Sequence, residues 1–326
     1  MEKSKVKKIG LLTSGGDSPG MNPCIRAVVR TASHYGVEVA GISEGYEGLI
    51  RGDMRELTPR SVGGILQRGG TILQTARSDY FRTDKGQREA IRQMNEKEIE
   101  GLIVIGGDGS LHGAHALANK NVKVIGVPAS IDNDIWGTNM SIGVDTALNT
   151  ILVAIDNLRD TASSHNRAFL VEVMGRGCGY LAAMAGIIGG AEMILLPEVD
   201  TSVEEAAGVI EAAYTRGKNH SIIVIAEGAE IGAQDLKMKL DEMDVGFRTR
   251  VTILGHIQRG GRPTAFDRLL ATRLGVKAVE SLAEGISGEM VGLRGSKIEL
   301  VPLEKVVSKN RTVNLEYYEM ARMLAF

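Results

Sequence analysis

The chain has 326 residues, more than one typical domain and little more than two, so a two-lobed globular protein is the first expectation. Its 41 glycines, about an eighth of the chain against a usual ~7%, stand beside only 7 prolines, which excludes low-complexity linker and asks that each glycine be placed for a reason. Lys+Arg 38 against Asp+Glu 40 gives a net charge of -2, which excludes the basic footprint of a nucleic-acid binder and favours a small-molecule partner. Cys24 and Cys178 are too few for a disulfide framework and lack metal-ligand spacing, so both read as small buried hydrophobes in a reducing cytoplasm. The opening run 1–8 is basic, but Ile9–Leu12 ends at once in Thr13-Ser-Gly-Gly-Asp17, leaving no apolar stretch for a signal peptide or a membrane span.

In chain order, Ile- and Val-rich runs that read as strands alternate with periodic stretches that read as helices. The expected order is strand 8–13, helix 22–34, strand 37–42, strand 101–105, helix 110–118, strand 122–127 and helix 145–159. Strand 168–173, helix 202–216, strand 222–226 and helix 266–284 follow, with Ser202-x-x-Glu205 as a capping box. Continuous apolar strands of this kind belong to parallel sheets covered on both faces, so the architecture reads as doubly wound α/β. Ligands of such sheets bind at the carboxyl ends of the strands, where the glycines of this chain gather.

Thr13-Ser-Gly-Gly-Asp-Ser-Pro-Gly20 follows the first strand, yet it has neither the Lys-Ser/Thr of a P-loop nor GxGxxG. It reads as a phosphate-contact loop or as a structural turn. Gly106-Gly-Asp-Gly-Ser110 sets a carboxylate and a hydroxyl beside approachable amides at a helix start, as a nucleotide–Mg²⁺ site requires; the alternative is that Asp108 caps the helix. Pro128-Ala-Ser-Ile-Asp-Asn-Asp134 sets two carboxylates on one loop, one to take a proton from a hydroxyl nucleophile and one to serve a metal, although alone it is also a polar turn. Gly175-Arg-Gly-Cys-Gly179 is not GxGxxG, so a nicotinamide enzyme lacks its fingerprint. Arg77, Arg82, Arg167, Arg176, Arg250 and Arg259 fall in or next to predicted loops, where guanidinium groups recognise anions or make surface ion pairs. His256 and Arg259 in Leu254-Gly-His-Ile-Gln-Arg-Gly-Gly261 read as a compact phosphate site, with packing as the alternative for His256. The remaining histidines show no metal spacing, and Trp136 with 4% aromatic residues offers no base-stacking platform.

Together these motifs resemble those of the bacterial 6-phosphofructokinases nearly end to end. The resemblance rests on Leu12–Asn22, Arg68-Gly-Gly-Thr71, Thr75-Ala-Arg77, Gly106–Ser110, Ser130-Ile-Asp-Asn-Asp134, Arg159–His165, Val173-Met-Gly-Arg176 and Leu254–Gly261. It implies two doubly wound, mostly parallel-sheet α/β domains, with 1–143 plus 258–312 binding ATP and 144–257 plus 313–326 binding fructose 6-phosphate. It further implies ATP contacts at Gly16, Arg77, Arg82, Asp108, Gly109 and Ser110, with Mg²⁺ at Asp108 and Asp134. Asp132 would be the base, with Ser130, Arg77 and Arg176 also in the catalytic set. Sugar contacts would be Ser130, Asp132, Met174, Gly175, Arg176, Glu227, His256 and Arg259, with Arg167 and Arg250 reaching across from a second subunit of a homotetramer. Effector contacts for ADP or phosphoenolpyruvate would be Arg26, Arg30, Arg159, Glu192, Arg216 and Lys218.

Several positions depart from the family pattern. Ala129-Ser130 replaces Gly-Thr, keeping the hydroxyl without the methyl that restricts its rotamers. Asn139 and Tyr180 stand where Asp is usual, Pro59 where an effector Arg is common, and Asn219 where a Lys is common. Pyrophosphate-dependent relatives carry Asp and Lys at the positions of Gly109 and Ala129, so ATP is the expected donor. The alternatives are a pyrophosphate-dependent enzyme and a nucleotide-sensing protein with weak catalysis.

Overall fold

A computed structural model describes residues 4–325; the first three residues of the basic opening run and the last residue of the expected sugar domain lie outside the described residues. The chain begins β1 (Lys8–Ser14), α1 (Met21–His34), β2 (Glu38–Ile42), α2 (Gly45–Arg51), β3 (Met54–Glu56), α3 (Asp84–Glu96), β4 (Gly101–Gly106), α4 (Asp108–Ala118), β5 (Val124–Pro128) and α5 (Val144–His165). It continues with β6 (Arg167–Val173), α6 (Tyr180–Ile188), β7 (Met193–Leu195), α7 (Val203–Thr215), β8 (His220–Ala226), α8 (Ala233–Met243) and β9 (Arg248–Ile253). Last come α9 (Ala265–Ala283), β10 (Glu289–Arg294), β11 (Lys297–Pro302), α10 (Leu303–Val307) and α11 (Leu315–Leu324). Two compact units share these elements. The first takes the described residues up to Ile131, Ile135–Thr146 and Arg259–Asn310; the second takes Asp132–Asp134, Ala147–Gln258 and the chain from Arg311.

The first unit is built on a seven-stranded sheet ordered β11-β10-β5-β4-β1-β2-β3. Alternate side chains of β4 go to opposite faces: Ile103 and Ile105 join α1 and α9 in one core, Leu102 and Val104 join α2, α3 and α4 in the other. Burial on both faces is why the run is continuously apolar. β1 pairs with β2 on one side and β4 on the other, so the winding reverses there, and Ser14 lies opposite Gly106 at the carboxyl ends. The edge pairs β2–β3 and β10–β11 are antiparallel.

The second unit has a four-stranded, all-parallel sheet ordered β7-β8-β6-β9. Its core gathers Leu170, Ile223 and Ile225 of the strands with Ile210 of α7 and Leu236 of α8. β6 is flanked by β8 and β9, which puts the ends of these strands at a second winding reversal. The capping box of α7 forms as expected, with the Ser202 hydroxyl accepting the Glu205 N–H and the Glu205 carboxylate accepting the Ser202 N–H. α5 runs beyond the predicted Arg159 to His165, because its last turns are polar and carry no apolar period. β9, half exposed and carrying Arg248 and Arg250, lacks the apolar run by which strands were read.

Candidate active site

In the first unit, a loop from Gly15 to Gly20 joins β1 to α1. The stretch 71–77 is fastened to it by the Thr75 hydroxyl, which donates to the Gly15 carbonyl at 2.6 Å, and by the Thr13 hydroxyl, which donates to the Gln74 carbonyl at 2.8 Å. The Asn22 amide adds bonds to the Arg68 and Gly69 carbonyls and accepts the Ile72 N–H. Arg77 is thereby held beside the glycine loop with an exposed side chain. A Cβ on Gly16 would fall on the Arg259 guanidinium, whose buried Nε has no hydrogen-bond partner among the described residues. A guanidinium beside approachable backbone amides is an arrangement able to receive an anion.

At the carboxyl end of β4, Gly107 is the N-cap of α4 and makes no side-chain cap bond, while Asp108 is the first helical residue. Asp108 therefore does not cap the helix; its half-exposed carboxylate lies 3.4 Å from Nδ1 of His112, a residue without metal spacing or motif to mark it. The Ser110 carbonyl accepts the buried Tyr46 hydroxyl at 2.7 Å, and Tyr46 stacks on Phe81, next to Arg82. Arg82 itself is exposed in the short turn 80–82, with Asp79 at 3.8 Å. A Cβ on Gly107 would lie 3.7 Å from Ser130 Cβ, so Ser130 abuts the head of α4.

In the second unit, the Asp132 carboxylate is buried, with Arg176 Nε 3.3 Å from its Oδ2. Arg176 follows β6 in a left-handed conformation, φ 50°. Its N–H donates to the Glu227 carboxylate at 2.7 Å, and the Gly175 N–H reaches the same oxygen at 3.4 Å. Gln258, wholly buried and unnoticed in the sequence, accepts the Met174 N–H at 3.2 Å and donates to the Gly255 carbonyl at 2.9 Å. It ties the end of β6 to the turn 255–259 that bears His256, which is exposed. The Asp134 carbonyl accepts the Arg311 N–H at 3.3 Å.

The family model for phosphofructokinase matches residues 8–282. The chain belongs to the phosphofructokinase family. Among its relatives, the ATP-dependent 6-phosphofructokinase of Natranaerobius thermophilus is 52% identical over 320 residues, covering 98% of this chain and 100% of the relative. That of Halalkalibacterium halodurans is 51% identical over the same shares. Among solved structures, the Pichia pastoris phosphofructokinase in the T-state superposes with a TM-score of 0.89 at 39% identity, over 94% of this chain and 36% of that longer one.

Within this phosphofructokinase, Arg167 is the first residue of a strand, next to a loop as expected, whereas Arg250 lies inside one. Arg167 opens β6 and Arg250 pairs with Phe169, at the amino ends of strands whose carboxyl ends carry Met174 and lead to His256. The structure does not bring them to the other sugar-site candidates of the same chain. Arg159, Glu192 and Lys218 do gather: Lys218 Nζ is 3.2 Å from Glu192, and Arg159 bonds the Gly189 and Gly190 carbonyls. His220, another residue without an assigned role, completes the group with Nε2 3.1 Å from Arg159 Nη1 and Nδ1 2.8 Å from Asn219 Oδ1. Burial first, then Arg159 and Lys218, push the His220 imidazole below its ordinary value, against Glu192. Arg216 ends α7 just before Lys218, and Arg26 and Arg30 sit one turn apart on α1 in the first unit.

The departures acquire contacts. Asn139 Oδ1 accepts the Gly295 N–H at 2.6 Å, a bond either Asn or Asp can accept. Tyr180 offers its ring to Arg311 at 5.5 Å, a cation–π contact in place of a carboxylate.

Proposed function

We infer that this phosphofructokinase uses ATP to phosphorylate fructose 6-phosphate at its 1-hydroxyl, the glycolytic step that forms fructose 1,6-bisphosphate. The observation that carries the reading is the Asp132 carboxylate, buried beside Arg176 and two residues beyond Ser130, which abuts the nucleotide-loop helix α4. One short segment thus carries both a base and a hydroxyl that meets the transferring phosphoryl group. Asp132 accepts the proton of the sugar hydroxyl as its oxygen attacks the γ-phosphorus; the bond to the β-phosphate oxygen breaks in line, ADP leaves, and no phosphoenzyme forms. Arg77 and Arg176 balance charge on the phosphoryl oxygens, and Gly16, Gly109 and Ser110 seat the nucleotide phosphates. Met174, Glu227, His256 and Arg259 hold the sugar phosphate.

ATP as donor is supported at Gly109, where an added Cβ would meet nothing within 4 Å. Packing does not require glycine there; room for a nucleotide does. Among the described residues no three carboxylate, imidazole or thiol groups gather as a metal cage, which fits a cation that arrives on the nucleotide and borrows one or two carboxylates. Asp108 and Asp134 would hold Mg²⁺, which when bound neutralises phosphate charge. Among the described residues no helix is long and apolar enough to cross a membrane, and both cysteines are buried thiols, in keeping with action in the cytoplasm.

The test is fructose 1,6-bisphosphate formation with Mg²⁺ and either ATP or pyrophosphate, for the wild type and Asp132→Asn. Turnover with ATP alone is expected, with a loss on the order of 10²- to 10⁴-fold in the variant and both substrates still bound. Turnover only with pyrophosphate would overturn the donor, and a fully active variant would remove Asp132 from its role. ADP or phosphoenolpyruvate added to the same assay reports on Arg26, Arg30, Arg159, Glu192, Arg216 and Lys218. Because Lys218 and Arg159 are already engaged, weak effects are expected, and a large shift of the saturation curve at micromolar effector would contradict that.

A further inference from the structure

Asp267 stands in the first turn of α9 with no exposed surface, and the reaction above leaves it without a task. No cation pairs with it among the described residues. Its Oδ1 accepts the Gly143 N–H at 2.9 Å, and its Oδ2 accepts the Thr146 N–H at 2.8 Å and the Thr146 hydroxyl at 2.6 Å. These amides open α5, where a helix leaves its N–H groups without internal partners. A side chain from another helix thus caps α5.

Through the Thr146 hydroxyl the same carboxylate reaches the segment that returns to the first unit at Arg259. Thr264 caps α9 by accepting the Asp267 N–H at 3.2 Å, donates its hydroxyl to Asp145 at 2.6 Å, and donates its N–H to the Thr146 hydroxyl at 3.0 Å. Five residues earlier, Arg259 lies on Gly16. The floor of the glycine loop is the third partner. Gly20, at φ 121°, has no room for a Cβ because Ile142 fills the place, with Asp267 Cβ 3.7 Å away. A Cβ on Gly143 would come within 2.7 Å of Ser18 Cβ. The carboxylate thus holds the start of α5, against which the glycine loop packs at Gly143 and to which the segment 259–264 is tied through the Thr146 hydroxyl.

We propose that Asp267 is a positioning residue for phosphoryl transfer: its carboxylate fixes the start of α5, and through Gly143 and Thr146 the glycine loop and the segment 259–264, so that Gly16 and Arg259 keep one arrangement, and a proton added to it loosens that arrangement. The proposal rests on the reading of Gly16 and Arg259 as phosphate contacts. A proton on Oδ2 turns the Thr146 hydroxyl from donor to acceptor and weakens the oxygen that receives the Thr146 N–H. Burial pushes the Asp267 carboxyl up to about 6; the Asp145 charge acts in the same direction, and the hydrogen bonds from Thr146 and Gly143 act against both. On the other neighbouring elements, Arg268 turns its Nε to the Pro263 carbonyl at 2.8 Å, α1 meets α9 with Cys24 and Ala27 at Gly275, and the glycine loop carries Asp17. A buried charge without a counter-ion costs folding free energy, and such costs persist where a site needs them.

The test is kcat/KM for ATP at saturating fructose 6-phosphate between about pH 5 and 8.5 in the wild type, Asp267→Asn and Thr146→Val, with melting temperatures alongside. The substrate phosphates titrate alike in all three, so differences between the profiles are what count. The wild type should lose activity towards acid with a midpoint near 6. Asp267→Asn should lack that limb and stay at every pH about tenfold below the wild-type plateau, as the wild type does below its midpoint. Thr146→Val removes one donor to the carboxylate, so its midpoint should rise by about half a unit or more. A limb unchanged in Asp267→Asn, whatever its melting temperature, overturns the proposal. If that variant does not fold, an unmoved midpoint in Thr146→Val overturns it instead. A wild type without turnover overturns the parent reading and this proposal together.

Discussion

At Arg176 a residue with a Cβ holds φ 50°, a conformation that costs on the order of 1 kcal/mol and persists only where its surroundings impose it. Two neighbours impose it here. Glu227 accepts the Arg176 N–H, and the Arg176 carbonyl occupies the space that a Cβ on Gly228 would need. The Gly228→Ala enzyme must therefore move that carbonyl, and the guanidinium with it, away from Asp132. We expect a fall in kcat on the order of 10²-fold, the usual effect of roughly 1 Å of misplacement, with KM for ATP within about twofold of the wild type. Wild-type turnover in that variant would show that the Arg176 backbone is not held as described. Asp132 and Arg176, which the structure brings together, and Asp108 stood out in the sequence as candidates because proton and phosphate chemistry limits the residue types that can serve. Gly228 and Gln258 were not, because each acts through backbone groups of a strand far away in sequence, and no spacing rule connects them.

The elements divide along a similar line. β1, β4, β5, β6 and β8 were readable because both their faces are covered, which leaves a continuous apolar run. β3, β9 and β11 are half-exposed edge strands, and α3 and α8 carry mostly polar sequence, so tertiary contacts define them more than local pattern does. The first turns of α5 and α9 add a consequence for stability. The Asp267 carboxyl titrates at about 6 in the folded chain, above about 3.9 in an unfolded one, so the fold favours its protonated form. That contribution is complete below about pH 4 and is lost as pH rises through 6, at a cost on the order of 2–3 kcal/mol. The stability difference between wild type and Asp267→Asn should accordingly change by this amount across that window, measured by urea unfolding at about pH 4, 5, 6 and 7. A constant difference would mean that Asp267 does not titrate there.

For the whole molecule, the decisive fact is the direction of β6 and β9. Arg167 and Arg250 occupy their amino-terminal halves, whereas Met174, Arg176 and the turn bearing His256 follow their carboxyl ends. Counted along β6, Met174 lies seven residues from Arg167 and five from Phe169, the partner of Arg250, which is about 17–23 Å at 3.3 Å per residue and beyond the reach of an arginine side chain. If all these residues bind one sugar phosphate, Arg167 and Arg250 must serve the site of another copy. This is the physical basis on which we propose an assembly with shared sites, and it admits a test by mixing. Asp132→Asn lacks the base in its own site but keeps intact arginines to lend. Arg250→Ala keeps the base but lends a defective arginine. Unfolded together and refolded, the two inactive proteins should regain activity, because a site pairing an intact Asp132 with an intact Arg250 forms wherever an Arg250→Ala chain borrows from an Asp132→Asn chain. The regained fraction should approach about a quarter of the wild-type sites at equal mixing, since each of the two contributions is intact with a chance of about one half. If Arg250 served its own chain, no mixture could contain a complete site, and activity would stay at the level of the separate variants.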